Sequence, residues 1–204
     1  MVNKCRALEV ANLAYLKDKM GDEIIGIKEK NEKACIIISD DIIEIGVAGS
    51  NDFIDWRDNL RFIGTSTKNY GRIPKGFYVN VERLLPKVLF SINSDRIKPI
   101  RLSGHSRGAP IATLLSMSLK LRGYNVVSVY GFGSPNIGKK SFVEKIKKLN
   151  IATFYFKNGG DQVTTVPKFG YKKPSSQIKI GPKRNWFTKI FNKDHYISRY
   201  IKNI

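Results

Sequence analysis

The sequence predicts an α/β fold in which a mostly parallel central sheet is flanked by helices, organised as a single domain over residues 1–204. Between residues 99 and 156 the apolar and amphipathic segments alternate as strand, helix, strand, helix, strand, the pattern of a parallel sheet with crossover helices. The chain has 204 residues, 42% of them hydrophobic and 11% aromatic, enough for one domain with a sizeable core, which excludes wholesale disorder. No internal repeat or low-complexity linker divides it.

Taken in order, residues 3–18 read as an amphipathic helix through Ala7, Leu8, Ala11, Leu13, Ala14 and Leu16. Three apolar runs with polar breaks follow at 23–27, 34–38 and 42–47 and read as strands. Residues 76–93 have helical periodicity, although Pro86 is expected to kink or divide that helix. A strand at 99–102 leads to a strong helix at 109–122, which Gly123 should end. Strand 126–130, helix 141–149 and strand 151–156 continue the alternation. Residues 157–193, rich in Gly, Pro, Lys and Asn, read as an ordered but irregular region with one short strand at 177–180.

The chain carries 36 Lys and Arg against 17 Asp and Glu, a formal charge of +19. Residues 139–204 hold 14 Lys and 2 Arg against Glu144, Asp161 and Asp194, so about two thirds of the excess lies in the last third. Such a balance points to contact with a polyanion. Lys outnumbers Arg 25 to 11, and hydrated ammonium groups lack the bidentate fork that reads bases, so no specific nucleic-acid partner is expected. The two cysteines, Cys5 and Cys35, make neither a disulfide framework nor a zinc pattern, and no cofactor or metal is expected. The first twenty residues include Lys4, Arg6, Glu9, Lys17, Asp18 and Lys19, without an apolar run of signal-peptide length. Nor is there a run of about 18 apolar residues, so the expected location is cytoplasmic where the chain is made.

The chemistry-bearing motif is Gly104-His105-Ser106-Arg107-Gly108, a G-x-S-x-G between a predicted strand and a predicted helix. That setting suits a nucleophilic serine on a strained turn, with small residues letting strand and helix approach. A serine hydroxyl needs a base, and the base needs an orienting acid. Of the two histidines, His105 lies beside the serine with its side chain expected to project away, which leaves His195 as the base. Candidate acids between serine and base are Glu144, Asp161 and Asp194. Glu144 falls inside a lysine-rich helix, and Asp194 is the chain neighbour of His195. Asp161 follows strand 151–156 and the turn Asn158-Gly159-Gly160, at the carboxyl end of a parallel strand where functional groups collect.

From about residue 42 onward these residues resemble the class 3 lipase family, α/β-hydrolases related to secreted fungal triacylglycerol lipases. The resemblance lies in strand 42–47 with Gly49-Ser50, Trp56 and Leu60, in Gly76-Phe77, and in the elbow 102–108 with Ile111-Ala112-Thr113-Leu114. It continues in Phe132-Gly133-Ser134-Pro135 with Gly138 and Phe142, in Asp161 with Val163 and Pro167, and in Asp194-His195. It implies an α/β-hydrolase fold and hydrolysis of lipid esters, of the triacylglycerol lipase or phospholipase A kind, through an acyl-enzyme on Ser106 with His195 and Asp161. It also implies an oxyanion hole from the backbone N–H groups of Ser50 and Arg107, and a lid in the segment 51–60, where Phe53, Ile54 and Trp56 either cover the site and open onto lipid or pack on the core.

Ala48 stands where the family usually has arginine, Arg107 where leucine is frequent, and Ala109 where glycine is frequent. An arginine beside the nucleophile favours an anionic substrate group. The lysine-rich last third implies peripheral contact with an anionic membrane surface. The alternative reading is a catalytically inactive hydrolase-like scaffold that binds a polyanion through its basic C-terminal third. Strongly salt-dependent DNA binding without esterase activity would mark that case. Acyl transfer and peptide hydrolysis use the same residue types.

Overall fold

A computed structural model describes residues 4–15, 24–29, 32–49, 64–92, 95–182 and 193–204. Its strands are β1 (Ile24–Glu29), β2 (Glu32–Ile38), β3 (Ile43–Val47), β4 (Gly64–Thr67), β5 (Gly71–Pro74), β6 (Ile100–His105), β7 (Val126–Phe132), β8 (Ala152–Asn158) and β9 (Gln177–Ile180). The α-helices are α1 (Lys4–Leu13), α2 (Lys75–Ser91), α3 (Gly108–Leu121), α4 (Lys140–Lys148) and α5 (Ile197–Asn203).

Among the described residues one sheet runs in the order β1-β2-β3-β6-β7-β8-β9. β1, β2 and β3 form an antiparallel meander. β3, β6, β7, β8 and β9 are parallel throughout, so the sheet is mostly parallel, as the alternation predicts. In register, Ile45 faces Leu102 and Leu102 faces Val129, which lines up the carboxyl ends of β3, β6, β7 and β8 along one edge.

Each face of the sheet is buried under helices. On one side Ile36, Ile43, Ile45, Val47, Ile100, Leu102 and Val129 pack with Phe77, Leu84 and Val88 of α2, Leu114 and Leu115 of α3 and Ile146 of α4. On the other, Tyr130, Phe132 and Phe156 pack with Ala7, Leu8 and Ala11 of α1 and Tyr200 of α5. Every residue of α3 from Gly108 to Leu119 is buried, which accounts for a helix apolar on nearly all sides.

The departures from expectation have local causes. α1 stops at Leu13 instead of 18, and a turn there carries Tyr15 toward the carboxyl edge of the sheet. α2 is one helix, not divided at Pro86, because the carbonyl that proline leaves unbonded belongs to Glu82 and both residues are on the exposed side. β6 extends to His105 and β8 to Asn158, beyond the apolar runs that marked them, so the polar ends of both strands are still in the ladder. The antiparallel β4–β5 hairpin and α5 had no sequence-based counterpart.

Candidate active site

The site begins where β6 passes into α3. Ser106 takes φ 55°, a left-handed backbone that costs a non-glycine residue about 1 kcal/mol. Two hydrogen bonds hold it there: the Ser106 amide donates to the carbonyl of Phe132 on β7 at 2.9 Å, and the Ala109 amide donates to the Ser106 carbonyl at 3.1 Å. The flanking glycines are steric necessities. A Cβ on Gly104 would lie 2.4 Å from the Gly108 carbonyl oxygen, and one on Gly108 would lie 2.2 Å from that of Val47. The motif is therefore the covalent form of a strand and a helix crossing at backbone distance.

His195 closes a short 3-10 turn, Lys193–His195, just before α5. Its Nε2 lies 2.8 Å from Ser106 Oγ and its Nδ1 lies 2.9 Å from Asp161 Oδ2. A carboxylate only accepts, so Nδ1 carries the proton and Nε2 accepts from the serine hydroxyl. All three residues are buried, Asp161 completely. Asp161 follows β8, and its Oδ1 accepts from the Val163 amide at 2.9 Å. Its Oδ2 takes a second donor besides the imidazole, the hydroxyl of Tyr200 at 2.7 Å. Burial, and then the charge of Asp161, raise the Tyr200 phenol well above its ordinary value, so it stays a neutral donor.

The rejected acids are elsewhere. Glu144 is exposed and pairs with Lys140 at 3.8 Å. Asp194 points away from its neighbour's ring, and its Oδ2 accepts from the Gly160 amide at 2.9 Å. Its carbonyl accepts from Asn158 Nδ2 at 2.9 Å, so Asp194 ties the turn that carries His195 to the end of β8. Arg107 directly follows Ser106 at the N-terminus of α3, where backbone N–H groups and the helix dipole favour negative charge. Ser50, Phe53, Ile54 and Trp56 lie outside the described residues.

Three neighbours escaped sequence reasoning. The His105 ring meets the chain at His195: its Nε2 lies 2.8 Å from the His195 carbonyl oxygen. Tyr15 reaches His105 Nδ1 at 2.8 Å, and Tyr200 reaches Asp161. Solitary tyrosines have no spacing signature, so nothing in the chain marked either one. Gly133, φ 59°, lies against Asp161 and His195, where a Cβ would stand 3.0 Å from Asp161 Oδ2 and 3.1 Å from His195 Nδ1. Among the described residues, no group of three or more His, Cys, Asp and Glu side chains is placed to hold a metal ion.

Residues 45–171 match the family model described as Lipase (class 3), more than half of the chain. The secreted mono- and diacylglycerol lipase LIP2 of Malassezia restricta is 30% identical over 129 residues, covering 56% of this chain and 40% of that protein. Phospholipase A1-II 1 of Oryza sativa subsp. indica is 32% identical over 85 residues, covering 40% and 22%. A Rhizomucor miehei lipase propeptide complex shares the fold with a TM-score of 0.72 at 20% identity, over 86% of this chain and 66% of that one. The chain spans about two fifths of the length of the first of these curated relatives.

Proposed function

Since the chain belongs to the class 3 lipase family, we propose that it is a serine carboxylic-ester hydrolase acting on lipid esters, with Ser106 as nucleophile, His195 as base and Asp161 as its orienting acid. The observation that carries this reading is the unbroken line of hydrogen bonds from Ser106 Oγ through the His195 ring to Asp161 Oδ2, at 2.8 and 2.9 Å.

The chemistry follows from that line. As Ser106 Oγ forms a bond to the ester carbonyl carbon, its proton passes to His195 Nε2 and the carbonyl oxygen becomes an oxyanion. Asp161 holds the Nδ1 proton and balances the charge of the imidazolium. The Arg107 amide and the N-terminus of α3 face the developing oxyanion, and each such donor contributes about 10²- to 10³-fold in rate. Ser50, next after Gly49 at the end of β3, is the second donor in this reading. The Ser106 amide takes no part, being bonded to the Phe132 carbonyl. His195 then returns the proton to the leaving alcohol, whose bond to the carbonyl carbon breaks. Water then gives a proton to His195 Nε2 and bonds to the acyl carbon, the bond from that carbon to Ser106 Oγ breaks, and the ring returns the proton to Oγ as the acid leaves.

The substrate reading rests on family names: relatives are described as mono- and diacylglycerol lipases and as a phospholipase A1. The basic last third favours work at an anionic lipid surface, each basic residue there contributing about 1 kcal/mol. Phe169, 89% exposed, stands between Lys168 and Gly170 on the stretch that follows the acid. No helix among the described residues is long and apolar enough to cross a membrane, and several relatives are named as secreted. The hydrogen-bonded site favours catalysis over an inert polyanion-binding scaffold. In the deciding experiment, Ser106→Ala abolishes hydrolysis of a short-chain p-nitrophenyl ester with the fold intact. Unchanged turnover would remove the assignment. Equal retention on anionic and neutral vesicles would remove the surface preference.

A further inference from the structure

Three hydrogen bonds run in one direction through two side chains that the chemistry above leaves unused. The Gly49 amide lies 2.8 Å from the Tyr15 hydroxyl oxygen, that hydroxyl lies 2.8 Å from His105 Nδ1, and His105 Nε2 lies 2.8 Å from the His195 carbonyl oxygen. The direction is forced. A carbonyl only accepts, so His105 Nε2 carries a proton. Burial, reinforced by the facing His195, lowers His105 to about 3 and keeps it neutral, so Nδ1 presents a lone pair. Burial raises the Tyr15 phenol to about 12, so it keeps its hydrogen and gives it to Nδ1. Its oxygen then accepts from Gly49.

We propose that Tyr15 and His105 are positioning residues that lock the main chain of His195 to the end of β3, so that the base, the nucleophile and the strand end leading to residue 50 keep one mutual geometry. This rests on the assignment of Ser106, His195 and Asp161 as the reacting site. The base's turn is held from two sides: Asn158 of β8 grips the Asp194 carbonyl, and His105 of β6 grips the His195 carbonyl. His105 also precedes the nucleophile in the chain, so one residue joins the backbone of Ser106 to that of its base. The far end of the relay leaves α1, which gives the N-terminal helix a part in aligning the site.

The test uses the full chain and the variants Tyr15→Phe, His105→Ala, His105→Gln, Tyr15→Phe/His105→Ala and Ser106→Ala. Hydrolysis of p-nitrophenyl butyrate is measured together with labelling by a fluorophosphonate probe and thermal unfolding. Misplacing a catalytic group by a fraction of an ångström predicts a kcat loss of about 10-fold for Tyr15→Phe and His105→Ala, with KM within about twofold. His105→Gln, whose amide still donates to the His195 carbonyl, recovers most of that loss. The double variant costs no more than His105→Ala, because the relay is already broken. Unchanged kcat with only a lower Tm, no rescue by glutamine, or losses that multiply would each overturn the relay. In those cases Ser106→Ala alone loses labelling and the triad stands. If Ser106→Ala still hydrolyses ester and takes up the probe, the triad falls and the relay with it.

Discussion

Tyr200 and His195 donate to the same oxygen of Asp161, at 2.7 and 2.9 Å, so the carboxylate that orients the imidazole is itself oriented by a phenol from the next helix. The phenol has a second duty, accepting from the Asn158 amide at 3.0 Å, and so spans the gap between the end of β8 and the acid that follows it.

Removing that hydroxyl leaves the Asn158 amide and Asp161 each short of a partner in a buried place. Tyr200→Phe is expected to lose about 1–3 kcal/mol of stability, the range for an orphaned buried group. Ester hydrolysis should fall about 10-fold, as for a misplaced orienting group. Denaturant unfolding and kcat measured side by side check both expectations.

Gly133→Ala sets a methyl group against both members of the acid–base pair, on a backbone already at positive φ. The backbone strain alone costs about 1–2 kcal/mol. Since the Asp161 and His195 atoms must also give way, the loss of turnover should exceed what the loss of stability explains. Activity assayed well below the unfolding temperature separates the two.

Stability should depend on pH through His105. The folded chain holds it neutral down to about 3, whereas the unfolded chain takes up its proton near 6.5. Between those values the unfolded state binds more protons, so this contribution is complete above 6.5 and is lost progressively as pH falls toward 3. His105→Gln should lose less stability than the parent between pH 7 and pH 4, as read from denaturant midpoints.

A second base, half-buried, acts on the alkaline side. Lys173 Nζ donates to the Thr164 carbonyl at 2.7 Å and to Asn136 Oδ1 at 2.9 Å, and burial lowers its pKa from 10.5 to about 7. Between those values the unfolded chain keeps a proton that the folded chain releases, so stability rises with pH across that window. Lys173→Met should flatten the rise between pH 7 and pH 10 in the same measurement.

How far the sequence could be read depended on whether a residue's role was local. The Gly104–Gly108 motif was legible because both glycines answer to a crossing of adjacent elements. Asp161 and His195 were singled out by the carboxyl-edge rule and the scarcity of histidine, and the structure sets His195 between Ser106 and Asp161. Tyr15 and Tyr200 were not legible: they reach the site from the two ends of the described chain, and only the packing of α1 and α5 on one sheet face brings them there. The partner of His105 was not legible for the same reason, since it is a main-chain carbonyl ninety residues on. Strands β4 and β5 are too short and polar to announce themselves, Thr65, Ser66 and Thr67 giving no apolar alternation.

With Ser106 as the proposed nucleophile, its left-handed backbone sets folding and chemistry against each other at one residue. On conformational grounds alone, glycine suits position 106 better than serine, since it occupies that region without a Cβ penalty. A search that rewarded thermal resistance alone would therefore tend to erase the hydroxyl, and Ser106→Gly would emerge from it as a sturdier, silent protein. Screens for hardier forms of this chain need an activity criterion beside the thermal one.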